Sequence, residues 1–262
     1  MEIDKGLQYK YDDYFVKKNR KQNSLKKVKY RKIAIVNTLK KYCDLNRKKV
    51  VLDIGFGQTD GLITQEIAKN SLKIYGIELD SNDVKIAKSK NKEANCIFLK
   101  ADTRNLSMFN QNMFDIIVCT DVIEHIPKDI EKLFSEMYRT LKKKGYIYIT
   151  LENKFILKEP HYGLYFLSWL PKSLADKYVK LTKRGRNYEI VHFTYYKFKK
   201  YILENSFKYK NITFNLVKNA KKLGYKINPS LSKLGGKLDK LPKKLKECLY
   251  FIIPEWFIVL RK

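Results

Sequence analysis

The chain has 262 residues, 44% of them hydrophobic and 13% aromatic, with 55 Lys+Arg against 27 Asp+Glu and a formal net charge of +28. That apolar content supplies a sizeable core and excludes disorder throughout. Cys43, Cys96, Cys119 and Cys248 are scattered without a C-x-x-C pair, which excludes a disulfide framework and a structural zinc site and predicts reduced core thiols in a cytoplasmic protein.

The first residues, MEIDKGLQYKYDDYFVKKNRK, contain no apolar h-region, so no signal peptide is expected. The longest apolar stretch, LYFIIPEWFIVL, is interrupted by Pro254 and Glu255 and falls short of the about 20 residues a membrane span needs. The positive charge favours an anionic partner: nucleic acid, anionic lipid or a phosphorylated substrate. Lysine-rich compositional drift is the competing source of that charge.

Residues 1–47 read as a basic lead, helical in part, with helical spacing in IAIVNTLKKY (33–42). From 48 to 152 strand and helix signals alternate. VVLDI, KIYGIEL, CIFLKAD, FDIIVCTD and GYIYITLE are strands, and LITQEIAK, NDVKIAKSK and DIEKLFSEMYRTL are helices. This alternation implies βαβ crossovers and a mostly parallel buried sheet. Residues 153–193 are predicted as a substrate cap. In 194–262, TYYKFKKYILENS is a helix with Thr194 as N-cap, and KNITFNLVK and EWFIVLRK are two last strands. A lysine-rich insert, about 219–253, separates those strands.

The stretch after the first strand places Gly55, Gly57 and Gly61 within seven residues. A strand, a glycine-rich turn and a helix let backbone approach a ligand closely. A tight βα turn alone would use the same glycines. Glu78, however, ends the second strand about twenty residues on, where a carboxylate accepts ribose hydroxyls. Asp102 follows the third strand and CTDVIEHIP ends the fourth. Polar groups thus line one edge of the sheet, where open α/β sheets bind ligands.

VLDIGFG, YGIELD, FLKADTRNL, FDIIVCTDVIEHI and LKKKGYIYIT, in this order over about 48–152, resemble the class I S-adenosylmethionine-dependent methyltransferases. The resemblance implies an α/β Rossmann-like fold with a seven-stranded sheet whose last strand is antiparallel. It implies S-adenosylmethionine as cofactor, with Asp53, Gly55 and Gly57 around its methionine part and Glu78 on its ribose. Asp102 falls near its adenine, and Gly61, Leu79, Thr103 and Asp121 complete the contacts. Two departures stand out. The usual G-x-G-x-G reads Gly55-Phe56-Gly57-Gln58-Thr59, so either Gly61 replaces the third glycine after a two-residue insertion or Thr59 does. The usual L-K-P-G-G reads LKKKG, which keeps only Gly145.

A hydroxyl acceptor needs a base as well as alignment. The three histidines, His125, His161 and His192, all lie at or beyond the fourth strand, on the acceptor side. An unperturbed imidazole pKa near 6.5 suits base catalysis. His125, His161 and Glu159 are the catalytic candidates, and His192 reads as an entry-loop residue. No metal is expected, although Asp121, Glu124 and His125 cluster as some quinone-pathway O-methyltransferases arrange metal ligands.

The resemblance therefore predicts O-methylation of a small-molecule, lipid-linked or glycan acceptor. The alternatives are RNA methylation and a non-catalytic cofactor-binding interaction module. The fourth strand lacks the Asn/Asp-Pro-Pro-aromatic pattern used on nucleobase amino groups, which counts against nucleic acid. Ten lysines against Asp239 and Glu247 in 218–253, with Leu238, Leu241, Leu245, Leu249 and Phe251 or Ile252 at helical spacing, predict peripheral contact with an anionic membrane. A solvated helix capping the sheet would show the same pattern.

Overall fold

A computed structural model describes residues 24–262 apart from Pro127 and a few side chains. The reading of residues 1–23 lies outside the described residues. Helix α1 (Ser24–Cys43) leads into β1 (Val50–Ile54), α2 (Leu62–Ala68), β2 (Lys73–Glu78), α3 (Ser81–Lys90), β3 (Cys96–Lys100), β4 (Phe114–Thr120), α4 (Ile130–Thr140) and β5 (Leu141–Glu152). After β5 come a two-residue hairpin pair, β6 (Lys158–Glu159) and β7 (Leu164–Tyr165), and then α5 (Lys172–Leu181). The chain ends with α6 (Tyr195–Glu204), β8 (Lys208–Asn211), α7 (Thr213–Lys218), α8 (Ala220–Leu223), α9 (Pro229–Asp239), α10 (Lys243–Leu249) and β9 (Glu255–Arg261).

Seven strands form one sheet in the order β3-β2-β1-β4-β5-β9-β8. The first five are parallel, and β9 runs antiparallel between β5 and β8. The expected α/β class I architecture is thus the observed one. Strand order reverses between β1 and β4, so the crevice beyond their carboxyl ends is the natural ligand site.

Side chains alternate between the two faces of each strand. On one face Val51, Ile74, Ile116, Val118 and Tyr148 pack under Ile35, Val36 and Leu39 of α1. On the other, Leu52, Ile117, Ile147 and Ile149 meet Leu133, Phe134 and Met137 of α4, and Tyr195 and Phe198 of α6. Leu133, Phe134 and Met137 recur at helical spacing, the pattern of one buried stripe. Thr194 caps α6 as expected, its hydroxyl accepting from Lys197 N at 3.3 Å. The segment after β5 has a small core of its own: Leu164, Leu167, Ala175, Val179, Tyr188 and Ile190.

Three sequence expectations are corrected. KNITFNLVK is not one strand. Only Lys208–Asn211 pairs with β9, and the Asn211 side chain then accepts from Thr213 N at 3.0 Å and Thr213 Oγ1 at 2.6 Å. That local turn diverts the chain into α7. The lysine-rich insert is not one amphipathic helix, because Pro242 separates α9 from α10. Leu238 and Leu249 pack on the core while Leu245 and Ile252 are exposed, so the predicted apolar face is divided. Finally, Cys43, Cys96 and Cys119 are buried free thiols, but Cys248 is exposed.

Candidate functional site

The β1 turn answers the glycine pattern. Gly55 takes φ +76° and Gly61 φ +72°, a left-handed region that only glycine enters freely. Gly57–Thr59 forms a short 3-10 turn, and Gly61 sits immediately before α2. Gly61 therefore occupies the third-glycine place, through the two-residue insertion. A Cβ there would lie 2.5 Å from Phe98 Cζ. At Gly57 a Cβ would meet Glu78 Oε2 at 2.7 Å, so the Glu78 carboxylate lies directly against the glycine loop.

Glu78 anchors that loop. Its Oε2 accepts from Gly57 N at 3.0 Å and its Oε1 from Leu79 N at 2.7 Å. The buried Asp53 accepts from the Thr64 hydroxyl at 2.6 Å. Burial pushes the Asp53 carboxyl up to about 7, against the lowering effect of that hydroxyl. On the far side of Glu78, Asp102 is gripped by Arg104, through Nε at 3.0 Å and a terminal nitrogen at 2.6 Å. Thr103 lies in the turn between them.

Asp121 follows β4 with φ +56°, a strained backbone of the kind that persists at functional sites. Its carboxylate accepts from Thr150 Oγ1 at 2.6 Å and pairs with the Arg31 guanidinium of α1. Burial favours the neutral acid, but Arg31 and Thr150 hold this carboxyl below its usual value. Arg31, Asp53, Gly55, Phe56, Thr59, Ile63, Thr120 and Asp121 line one small cleft of about 30 Å³. The structure thus brings Asp53, Gly55, Gly57, Gly61, Glu78, Leu79 and Asp121 around the β1–β4 crevice, with Asp102 and Thr103 beyond β3. Sequence reasoning missed Arg31. Its signal was an arginine in a helix otherwise rich in lysine.

The three catalytic candidates also meet. His125 and His161 stack edge to face with ring centroids 5.0 Å apart. His161 Nδ1 lies 2.8 Å from Glu159 Oε1, and Glu159 Oε2 accepts from Tyr162 N at 2.6 Å. Glu152, at the end of β5, lies 3.8 Å from His161 Nδ1 and 3.0 Å from His192 Nε2. The Tyr188 hydroxyl completes the chain, 2.8 Å from His192 Nδ1. His192 lies in the loop before α6. Its side chain is 2% exposed and links β5 to the later segment.

Neither imidazole of the expected pair titrates near its ordinary value. Burial, reinforced by the neighbouring His161, lowers His125 to about 3. Burial also works against charge on His161, but Glu159, Glu152 and Glu124 raise it to about 9. His161 is an imidazolium at neutral pH and His125 a neutral ring, which corrects the expectation of an unperturbed base. Glu124 is fully buried, and burial and then Asp121 push its carboxyl up to about 8. Both its oxygens lack a hydrogen-bonding partner among the described residues.

Two groups in this cluster have donor atoms within 4.8 Å of one another: Glu124, His125 and His161, and Glu152, Glu159 and His192. The expected metal alternative of Asp121, Glu124 and His125 is not brought together, because Arg31 and Thr150 engage Asp121. Glu124 in the first set is buried without a hydrogen-bonding partner among the described residues, but Glu124 and His161 both hold protons at neutral pH, so a divalent ion would bind there only by displacing them.

A model of the methyltransferase domain family matches residues 52–149. The ubiquinone biosynthesis O-methyltransferase of Rickettsia typhi is 25% identical over 214 residues, covering 79% of this chain and 81% of that protein. Phosphoethanolamine N-methyltransferase 2 of Caenorhabditis elegans is 34% identical over 119 residues, 44% of this chain but 26% of that longer protein. Among solved structures, an S-adenosylmethionine-dependent methyltransferase from Mesorhizobium loti superposes with a TM-score of 0.57 at 13% identity, covering 86% of this chain and 96% of that one. The YcgJ protein of Bacillus subtilis gives 0.55 at 17% identity, covering 87% and 97%. Residues 52–149 thus match the methyltransferase domain family, and the strand order and the glycine turn beside Glu78 are those of the class I methyltransferase fold.

Proposed function

We propose that the chain O-methylates a small-molecule, lipid-linked or glycan acceptor at the cluster around His161. Bound S-adenosylmethionine supplies an activated methyl group, and alignment of the acceptor oxygen with it contributes roughly 7–11 kcal/mol. Asp53 and the glycine turn would hold the methionine part, Glu78 the ribose and Asp102 the adenine end.

The observation that carries the oxygen acceptor is the pair of half-buried His161 and buried Glu159 beside Glu124 and Glu152. An oxygen nucleophile loses a proton as it is methylated, and an imidazolium next to it stabilises the developing anion. The proton passes to Glu152, whose carboxylate lies 3.8 Å from His161 Nδ1; Glu124, raised by burial, already holds its own. His125, kept neutral by burial, shapes the wall. Glu159 orients His161 through its Nδ1–H. Glu124, His125 and His161 would hold a divalent ion if one takes part, and such an ion would supply further stabilisation of an acceptor oxyanion. The Rickettsia relative, named for O-methylation in ubiquinone biosynthesis, supports the oxygen reading. The Caenorhabditis relative, named as an N-methyltransferase, supports the competing nitrogen reading over a shorter segment.

The test is transfer of labelled methyl to a panel of phenols, sugar hydroxyls and amino alcohols. An oxygen acceptor is expected, with His161→Gln lowering kcat by about 100-fold while cofactor affinity stays unchanged. Transfer only to amines, or full activity of His161→Gln, would overturn the reading.

A further inference from the structure

The segment that carries His161 also carries an exposed apolar face. Leu157, Tyr165, Phe166, Trp169, Phe251 and Ile252 are between 39% and 65% exposed. They are neighbours rather than scattered residues. The Phe166 ring lies 5.2 Å from Trp169 and 6.4 Å from Tyr165. Phe155 bridges Trp169 at 5.7 Å and Phe251 at 4.6 Å, and Phe166 N donates to Leu157 O at 2.7 Å.

The face is fixed in place. Trp169 Nε1 donates to Ile156 O at 3.0 Å, and the buried Asn153 amide donates to Phe251 O at 2.7 Å and Ile253 O at 2.8 Å. A contiguous exposed patch on an ordered scaffold marks an interaction surface.

Around its β6–β7 part the charged residues of the sequence are mostly basic. Residues 153–186 contain eight Lys and Arg but only Glu159 and Asp176 as acids. Glu159 is fully buried, and Asp176 is occupied by Lys172 at 2.5 Å and Tyr188 N at 2.7 Å. Lys158 sits 5.3 Å over the Tyr165 ring. A second copy of this chain would bring the same positive charge against it and be repelled. Exposed aromatic rings on a lysine-rich segment suit the boundary between anionic headgroups and acyl chains.

We propose that this face docks the protein on an anionic lipid bilayer. The contact then lies on the β6–β7 segment rather than on 219–253, whose leucines are divided between core and solvent. Tyr165 and Phe166 directly follow the turn at Gly163, whose N–H donates to Glu159 O at 2.8 Å. Docking therefore sets His161 and Glu159 close to the membrane interface.

Co-sedimentation of the full chain with phosphatidylcholine vesicles, with and without about 30% phosphatidylglycerol, tests this. Binding to the anionic vesicles at least tenfold tighter than to the neutral ones is expected. The double variant Phe166→Ser with Ile252→Ser should weaken it at least tenfold, with circular dichroism and S-adenosylmethionine affinity unchanged. Leu231→Ser with Leu234→Ser on α9, also exposed, should bind like wild type. No vesicle binding by wild type, loss of binding only in the α9 variant, or a dimer in solution that the Phe166 variant dissolves would overturn the proposal. Cofactor affinity is read separately, so failure here leaves the methyltransferase reading standing.

Discussion

The Arg31 guanidinium of α1 and the Asp121 carboxylate beyond β4 form an ion pair across 90 positions of sequence, at the lip of the β1–β4 crevice. Through this pair α1 lines the crevice as well as covering the sheet.

Arg31 lines the cleft beside Asp53 and Gly55, the residues expected around the cofactor's methionine part. Arg31→Gln should weaken S-adenosylmethionine binding at least tenfold, about 1.4 kcal/mol. Both side chains are about a third exposed, so screening limits the effect on folding to under about 1 kcal/mol. Calorimetric titration alongside urea unfolding separates the two. Unchanged affinity with lost stability would make the pair purely structural.

Gly61 should tolerate no side chain. Alanine there pays for the left-handed backbone, roughly 1–2 kcal/mol, and collides with the buried Phe98 ring, which is packed edge-on against Phe56 at 4.7 Å. Gly163 has a similar φ, +67°, but nothing within 4 Å of its Cβ position. Gly61→Ala should therefore lower Tm clearly more than Gly163→Ala. Equal shifts would show that Phe98 yields freely.

Asp53 gives the fold a pH dependence. Its carboxyl is raised by burial to about 7 in the folded chain, above the roughly 3.9 of an unfolded aspartate. The folded state thus holds the proton more tightly, and this contribution to stability is complete below about pH 4 and lost as pH rises to about 7. Asp53→Asn, which keeps an acceptor for Thr64, should remove that loss. The Tm difference, variant minus wild type, should grow between pH 4 and pH 8, and a flat difference would contradict the assignment.

The parallel half of the sheet was legible in sequence because buried strands read as continuous apolar runs. VVLDI and FDIIVCT leave no other option. The carboxyl-terminal half was less so. ITFNLV alternates plausibly as a strand, yet the Asn211 side chain turns the chain one residue earlier. Within the site, the glycine turn and the Glu159–His161 pair were readable because their partners are neighbours in sequence. Arg31–Asp121 and Glu152–His192, 90 and 40 positions apart, exist only once the sheet edge gathers them. The shifts of His125 and His161 arise the same way, from burial and from carboxylates of other elements.

Glu78 accepts from the glycine loop at Gly57 N and is the carboxylate expected on the cofactor's ribose. Calorimetric titration of wild type and Glu78→Ala with S-adenosylmethionine and its demethylated product tests this role most directly. Wild type should bind both ligands at micromolar concentration, and the variant should lose at least tenfold, about 1.4 kcal/mol. No binding by wild type, or equal binding by the variant, would contradict it.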